Sequence, residues 1–283
     1  MTVRVISLLV WLLILTMAPI RAQADRLFLI MSYHAEFPWT LQCYQGLHGE
    51  LEEDYQIETF YLDSKRLPPA GVEDRARKAW GEMENFNPDL ILVGDDNALR
   101  LLAPKIQQTD KPVVYFGING NPRSYFSVRP SNLTGVLERT PVLPWLKHLR
   151  RILPRAKRGL IMLDDSPTSE KVIEVSYNNP KQVHAAGMAL DYKIVSQWDE
   201  WKQVIGNADQ HYDFIIMSGY FTIKDATETH VTAMDVVQWT SDNTPLPLFA
   251  NQDYAVNDNG VIGSLVVSGK HHAALAGTLV RQI

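Results

Sequence analysis

The sequence predicts an α/β protein made of two similar lobes, each built on a parallel sheet. Short β-rich runs alternate with helical stretches along the chain, which is the pattern of βαβ units. Most β-rich runs are continuous in apolar residues, as expected for parallel strands that are covered on both faces. Four such runs precede residues 132–138 and four follow them, so the series occurs twice. The alternative is a single eight-stranded sheet.

The predicted elements follow each other in a regular order. The eight strands are 27–32, 57–62, 90–93, 113–116, 160–163, 190–195, 214–218 and 246–250. The six helices are 38–53, 71–85, 97–107, 142–153, 198–208 and 227–240. Pro141 and Pro144 suit the first turn of the helix that opens the second series. We therefore predict that lobe 1 comprises residues 25–137 and 255–283, and that lobe 2 comprises residues 138–254.

The N-terminus predicts export to the periplasm. Arg4 precedes an apolar run at residues 5–18, and Ala22-Gln23-Ala24 then supplies a small-x-small cleavage pattern. The run is shorter than the ~20 residues of a membrane-spanning helix. We expect residues 1–24 to be a signal peptide cleaved after Ala24; the alternative is an uncleaved membrane anchor.

Composition and cysteine usage narrow the class of protein. Net charge is −5, and acidic and basic residues are interspersed, without the clustered basic face of a nucleic-acid-binding protein. The only cysteine, Cys43, cannot form an intramolecular disulfide. Trp39, Cys43, Leu47 and Leu51 recur every four residues, which predicts that Cys43 is buried on one face of the first helix.

Polar and aromatic residues concentrate in the loops that follow the predicted strands. In parallel α/β sheets these loops form the ligand-binding crevice, and their mixture of hydroxyls, amides, carboxylates and rings is typical of a small-molecule site. The candidate ligand-binding residues are Ser32, Tyr33, His34, Trp39, Asp95, Asp96, Asn97, Asn119 and Asn121 in the first half, and Asp165, Ser166, Ser218, Tyr220, Asn251, Asp253 and Tyr254 in the second.

Simpler structural roles compete with ligand binding at some of these positions. Residues 95–97 can cap the helix that follows them, and Trp39 can pack in the core. His34 has no accompanying nucleophile pattern, and the chain has no Gly-x-Ser-x-Gly elbow and no Walker-type phosphate loop. No His, Cys or carboxylate spacing indicates a metal site. We therefore predict a binding protein without catalytic residues, metal or cofactor.

Several motifs together resemble a known family. The loop Ser-Tyr-His (32–34) with Pro-Trp-Thr (38–40), the Asp-Asp-Asn at 95–97 and the run Pro-Val-Val-Tyr-Phe-Gly-Ile-Asn at 112–119 resemble substrate-binding proteins of bacterial ABC transporters, in the branch with the type I periplasmic-binding-protein fold. The segments 134–138, 251–254 and 260–267 fit the same pattern. Related domains are extracytoplasmic sensor regions of histidine kinases and diguanylate cyclases, and the 32–39 loop is similar to that branch.

The resemblance implies two Rossmann-like lobes that close on a small ligand about a hinge, with crossings near 135–138 and 254–260. We expect capture of a polar, amino-acid-like solute for ABC-type uptake, with an ABC permease as partner. The alternatives are a ligand-sensing module of a two-component or cyclic-di-GMP system, with a membrane sensor as partner, and an enzyme on a doubly wound fold. Members of the family continue beyond the helix at 273–277, so the chain is expected to lack part of its C-terminal structure.

Overall fold

The computed structural model describes residues 25–128, 130–177 and 182–283. The predicted signal peptide and its cleavage site lie outside the described residues. Within those residues, no helix combines the length and the hydropathy needed to cross a membrane. The described chain forms two α/β lobes, each with its own sheet, so the prediction of two sheets is confirmed and the single-sheet alternative is wrong.

The first lobe has a five-stranded parallel sheet with helices on both faces. Its strands are β1 (Asp25–Met31), β2 (Tyr55–Tyr61), β3 (Leu90–Gly94), β4 (Val113–Ile118) and β5 (Leu133–Leu137), in the spatial order β2-β1-β3-β4-β5. Its helices are α1 (Pro38–Leu51), α2 (Pro69–Phe86), α3 (Asp95–Ile106) and the C-terminal α8 (Gly269–Val280).

The central strand β1 is buried on both faces. Because side chains alternate along a strand, Phe28 and Ile30 pack with the core under α2 and α3, and Leu27 and Leu29 pack with the core under α1 and α8. Helices α1 and α8 approach closely at Gly46, where a Cβ atom would clash with the Lys270 carbonyl oxygen.

The second lobe has a six-stranded sheet that is parallel except at one edge. Its strands are β6 (Arg158–Leu163), β7 (Gln182–Ala185), β8 (Met188–Ile194), β9 (Phe214–Met217), β10 (Leu248–Ala250) and β11 (Gly263–Ser264), in the order β11-β10-β9-β6-β8-β7. Strand β7 runs antiparallel to β8. Its helices are α4 (Val142–Ile152), α5 (Pro167–Ser176), α6 (Trp198–Gly206) and α7 (Ala233–Asn243).

The structure adds elements that sequence patterns missed. Each predicted strand is present, but β5, β7, β11 and helix α5 are additional. Helix α7 begins at Ala233 rather than at residue 227, because Thr232 caps it: the Thr232 Oγ1 accepts a hydrogen bond from the Asp235 amide at 3.2 Å.

The chain passes between the lobes more than once. Strand β11 pairs with β10 in the second sheet, whereas α8 packs on α1 in the first lobe. The return to the first lobe therefore follows Ser264 rather than residue 255. The lobe boundary at residues 137 and 138 stays a prediction.

Candidate ligand-binding cleft

The carboxyl ends of both sheets border one cleft between the lobes. Its empty volume is about 810 Å³ when the solvent at its mouth is counted. Nine of the predicted ligand-binding residues line it: Tyr33, Trp39, Asp95, Asn119, Ser166, Ser218, Asn251, Asp253 and Tyr254. Both lobes contribute, since the first four residues follow strands of the first sheet and the others belong to the second lobe.

Asp95 is the buried carboxylate at the end of β3. Its backbone has a φ of +70°, a left-handed conformation that is uncommon outside glycine. The indole Nε1 of Trp39 donates to Asp95 Oδ1 at 2.8 Å, whereas Asp95 Oδ2 is buried without a hydrogen-bond partner among the described residues. Burial, together with the nearby charge of Glu138, raises the pKa of Asp95 well above its usual value. Strain and an unpartnered acceptor of this kind are typical of functional positions.

Glu138 is a second carboxyl group in the same wall. It follows edge strand β5, and the side-chain amide of Asn119 donates to Glu138 Oε2 at 3.0 Å. Burial raises the pKa of Glu138 to about 7, and the negative charge of Asp96 adds to this effect. Asp95 and Glu138 both favour their protonated forms more than exposed carboxyl groups do.

Lys65 brings a buried cation to the cleft. It lies in the loop between β2 and α2 and is 7% exposed. Its Nζ lies 4.8 Å from the ring centroid of Tyr33 and 5.2 Å from that of Phe221, which are cation–π distances. Within the described parts of the chain, Lys65 forms no hydrogen bond or ion pair. Burial lowers the pKa of Lys65, and the charges of three surrounding carboxylates oppose that shift only in part.

Asp164, at the end of β6, is fully buried and fully hydrogen-bonded. Its Oδ1 accepts from the hydroxyls of Ser166 and Ser169, each at 2.5 Å. Its Oδ2 accepts from the amides of Phe221 at 2.7 Å and Thr222 at 3.2 Å. Burial raises the pKa of Asp164, but the charge of Lys65 and these hydrogen bonds outweigh that effect and lower it overall. Asp164 therefore holds two loops of the second lobe together.

The lobes meet across the cleft through aromatic rings and hydrogen bonds. The Phe37 ring from the first lobe packs edge-on against Phe221 of the second, with centroids 5.2 Å apart, and lies 6.4 Å from Tyr254. The hydroxyls of Tyr33 and Thr168 are 3.1 Å apart.

A further contact lies at the mouth of the cleft. Gln42 of α1 donates from Nε2 to Asp253 Oδ1 at 2.9 Å. The contacts between the lobes thus include polar groups as well as rings, and they involve residues that line the cleft.

Three predicted site residues do not line the cleft and instead form hydrogen bonds within the first lobe. The Ser32 hydroxyl donates to the Gly94 carbonyl and accepts from the Ala98 amide, both at 2.8 Å. The Asp96 carboxylate accepts from the Asn119 and Gly120 amides and from the Tyr125 hydroxyl. The Asn97 amide donates to the Ser64 hydroxyl.

Four further candidates lie outside the cleft lining for equally local reasons. Asn121 caps the short helix at Pro122–Tyr125, since its Oδ1 accepts from the Arg123 amide at 3.1 Å. His34 faces Asp63 at 3.4 Å. Asp165 is exposed, and Tyr220 is 1% exposed within the core of the second lobe.

Sequence reasoning missed five residues that shape the cleft. Phe37, Thr168 and Phe221 lie within the predicted strand-end loops, but a phenylalanine or threonine in such a loop does not by itself indicate ligand contact. Lys65 lies in the loop after the second strand, and loops at the carboxyl ends of parallel strands border the ligand crevice. That position could have indicated it. Glu138 coincides with the predicted lobe boundary, and its position after a segment of mixed polarity predicts no ligand contact. No group of three or more potential metal ligands occurs in the described ranges.

Comparisons with known proteins bear on the fold. The sequence matches no protein-family model and no curated protein. Among solved structures, a conserved domain protein from Vibrio cholerae is 16% identical over 92% of this chain and 84% of that chain, with a TM-score of 0.67. The ABC domain in complex with L-Trp from Streptococcus pneumonia gives the same values. The Caulobacter myo-inositol binding protein is 11% identical over 93% of this chain and 87% of that chain, with a TM-score of 0.59.

These likenesses, at low identity, establish the architecture. The protein has the two-lobed fold of the type I periplasmic binding proteins, and several solved neighbours are named as solute- or substrate-binding proteins. The resemblance predicted from the sequence is thus confirmed at the level of the fold.

Proposed function

We propose that the protein is a periplasmic solute-binding protein that captures a small, amino-acid-like solute and delivers it to an ABC-type permease. The observation that carries this proposal is the convergence of buried, unpartnered polar groups from both lobes. Asp95 Oδ2, Asn251 Oδ1 and Gln252 Oε1 lack partners among the described residues, and Lys65 offers a free ammonium group beside them. Buried polar groups are normally hydrogen-bonded, so a ligand with both donors and acceptors would complete this site.

Two further observations support binding rather than chemistry. The neighbours whose names state a role are binding proteins. The cleft also lies between two sheets joined by several chain crossings, a geometry in which ligand contacts on both lobes favour the closed form.

Sensing is the second candidate, because the loop at residues 32–39 resembles the sensory branch of the fold. Crosslinking of the mature protein in its native membrane, followed by mass spectrometry, separates the two. Recovery of a permease subunit supports uptake, and recovery of a kinase or cyclase supports sensing.

A thermal-shift screen tests solute binding directly. The mature protein is heated with amino acids, sugars, purines and short peptides. A solute at 100 times its dissociation constant adds about 2.7 kcal/mol to the free energy of unfolding. The Asp165→Ala variant serves as a control: its side chain is exposed and lies outside the cleft lining, so this variant should show the same stabilisation by solute as the unchanged protein. Failure of every solute class, or conversion of a solute into product, contradicts the proposal.

A further inference from the structure

The cleft contains carboxyl groups at the ends of two strands and a cation, Lys65, in a separate loop of the first lobe. Asp95 and Glu138 are carboxyl groups at the ends of β3 and β5, and Asp95 Oδ2 has no hydrogen-bond partner in the described chain. Glu138 Oε2 is held by Asn119, so that carboxyl group is fixed in place. An ammonium group carries three N–H donors for these carboxyl groups, and its positive charge would offset the burial that disfavours their ionised forms.

Lys65 offers the opposite chemistry. The nearest buried carboxylate of the second lobe, Asp164, has both oxygens engaged by its own loops. The Lys65 ammonium feels the charges of Asp164, Asp95 and Glu138 but forms no hydrogen bond within the described chain, and the rings of Tyr33 and Phe221 pack against it. A ligand carboxylate supplies the acceptor that Lys65 lacks.

One part of the cleft surface is apolar. Phe37, Phe221 and Tyr254 form an aromatic wall, and Leu265 and Val267 line the cleft as well. A side chain of similar character would be excluded from water there.

We propose that the cleft selects its ligand through a cation subsite at Asp95 and Glu138 and an anion subsite at Lys65, so that the solute is an α-amino acid with an apolar or aromatic side chain. This inference rests on the proposed solute-binding function and specifies which residues recognise each end of the molecule.

A charge-deletion experiment on both partners tests the assignment. Calorimetry compares L-phenylalanine with phenethylamine, which lacks the carboxylate, and with 3-phenylpropionate, which lacks the ammonium. The leucine series (L-leucine, isoamylamine, 4-methylpentanoate) is measured in parallel. Lys65→Met should weaken the amino acid and the acid ten- to hundredfold and leave the amine within twofold. Glu138→Gln should weaken the amino acid and the amine about tenfold or more and spare the acid.

Controls separate recognition from folding. Lys65→Arg keeps the charge and should retain binding of the acid better than Lys65→Met. Circular dichroism and thermal melting verify that each variant folds. Equal weakening of all three ligands by either variant overturns its assigned subsite.

The same measurements distinguish failure of the charge-selection proposal from failure of the proposed solute-binding function. If neither amino-acid series binds but an uncharged solute such as myo-inositol does, charge selection is wrong and solute binding stands. If no solute of any class binds, the proposed function itself fails.

Discussion

The two walls of the cleft differ in what they do with buried charge. The first lobe places Lys65, Asp95 and Glu138 in the cleft with hydrogen-bonding capacity to spare. The second lobe buries Asp164 at the equivalent strand end, but both oxygens of that carboxylate are consumed by its own loops. What the second lobe shows to the cleft is otherwise neutral (hydroxyls, amides and rings), apart from Asp253, whose exposed carboxylate accepts hydrogen bonds from Gln42 of the first lobe.

This difference suggests a division of labour. In the proposed function, the first lobe recognises charge and the second encloses the ligand. Buried charges lower the stability of a fold unless they are paired or hydrogen-bonded. In the first lobe a ligand could supply the missing partners, whereas in the second lobe Asp164 is already hydrogen-bonded by its own loops.

The largest expected effect concerns Asp164. Replacing it with alanine leaves five donors of the second lobe without their acceptor and should lower the free energy of unfolding by about 3 kcal/mol or more. Urea denaturation measures this. Asp165→Ala is the neighbouring control and should change stability by no more than about 0.5 kcal/mol. A stable Asp164→Ala variant would show that the second lobe does not depend on this carboxylate.

A second test uses two adjacent residues of the first lobe. Asp96→Asn places an amide donor against donors that both carboxylate oxygens now accept, and should cost about 2–3 kcal/mol of stability. Asp95→Asn should cost little stability, since asparagine tolerates a positive φ and burial already favours a neutral group there. Denaturation and calorimetry on both variants should show stability loss for Asp96→Asn and affinity loss for Asp95→Asn. The reverse result would exchange their roles.

The pH dependence of stability sharpens the comparison further. The pKa of Glu138 is raised from 4.5 to about 7, so the folded protein binds more protons than the unfolded chain between these values. Stability attributable to this group therefore falls as pH rises through that window. Glu138→Gln removes the titration and should be more stable than the wild type by about 1–3 kcal/mol at pH 8 but not at pH 4. Parallel pH profiles of melting temperature would contradict the assignment.

The smallest effect concerns contact between the lobes. Tyr33→Phe deletes the hydrogen bond to Thr168 and should shift the open–closed balance about fivefold, equivalent to ~1 kcal/mol. Small-angle scattering and ligand affinity report this shift. Thr168→Val should have the same effect, and the double variant should be no worse than either single one. Additive effects would mean that the two hydroxyls act separately.

The sequence was sufficient to predict the cleft but not the orientation of each side chain within it. Strand-end loops follow from apolar periodicity, and these loops do border the cleft. Within a loop, however, neighbouring residues face opposite ways. Asp165 was selected while Asp164 is the buried carboxylate, and Asp95 lines the cleft while Asp96 anchors backbone amides.

Other features depended on contacts distant in sequence. Lys65 is a polar residue in a short loop, and in the folded protein it is a buried cation packed against Tyr33 and against Phe221 of the other lobe. Strand β5 is an edge strand with partly exposed side chains, so its pattern indicated a connecting segment rather than a strand. Such properties arise from the assembled lobes, not from local composition.

The position of Phe37 has a kinetic consequence. Its ring comes from the first lobe but packs within the core cluster of the second, and only 7% of it is exposed. Parting the lobes separates this ring from Phe221 and Tyr254 and exposes part of it to water, at a cost below the roughly 1.5–3 kcal/mol of a fully buried aromatic side chain. If the protein binds a solute as proposed, entry is gated: as solute concentration rises, the observed association rate should reach a ceiling set by the parting of the lobes. Release of a bound solute would require the same parting of the lobes, so the contacts of Phe37 would slow both entry and escape.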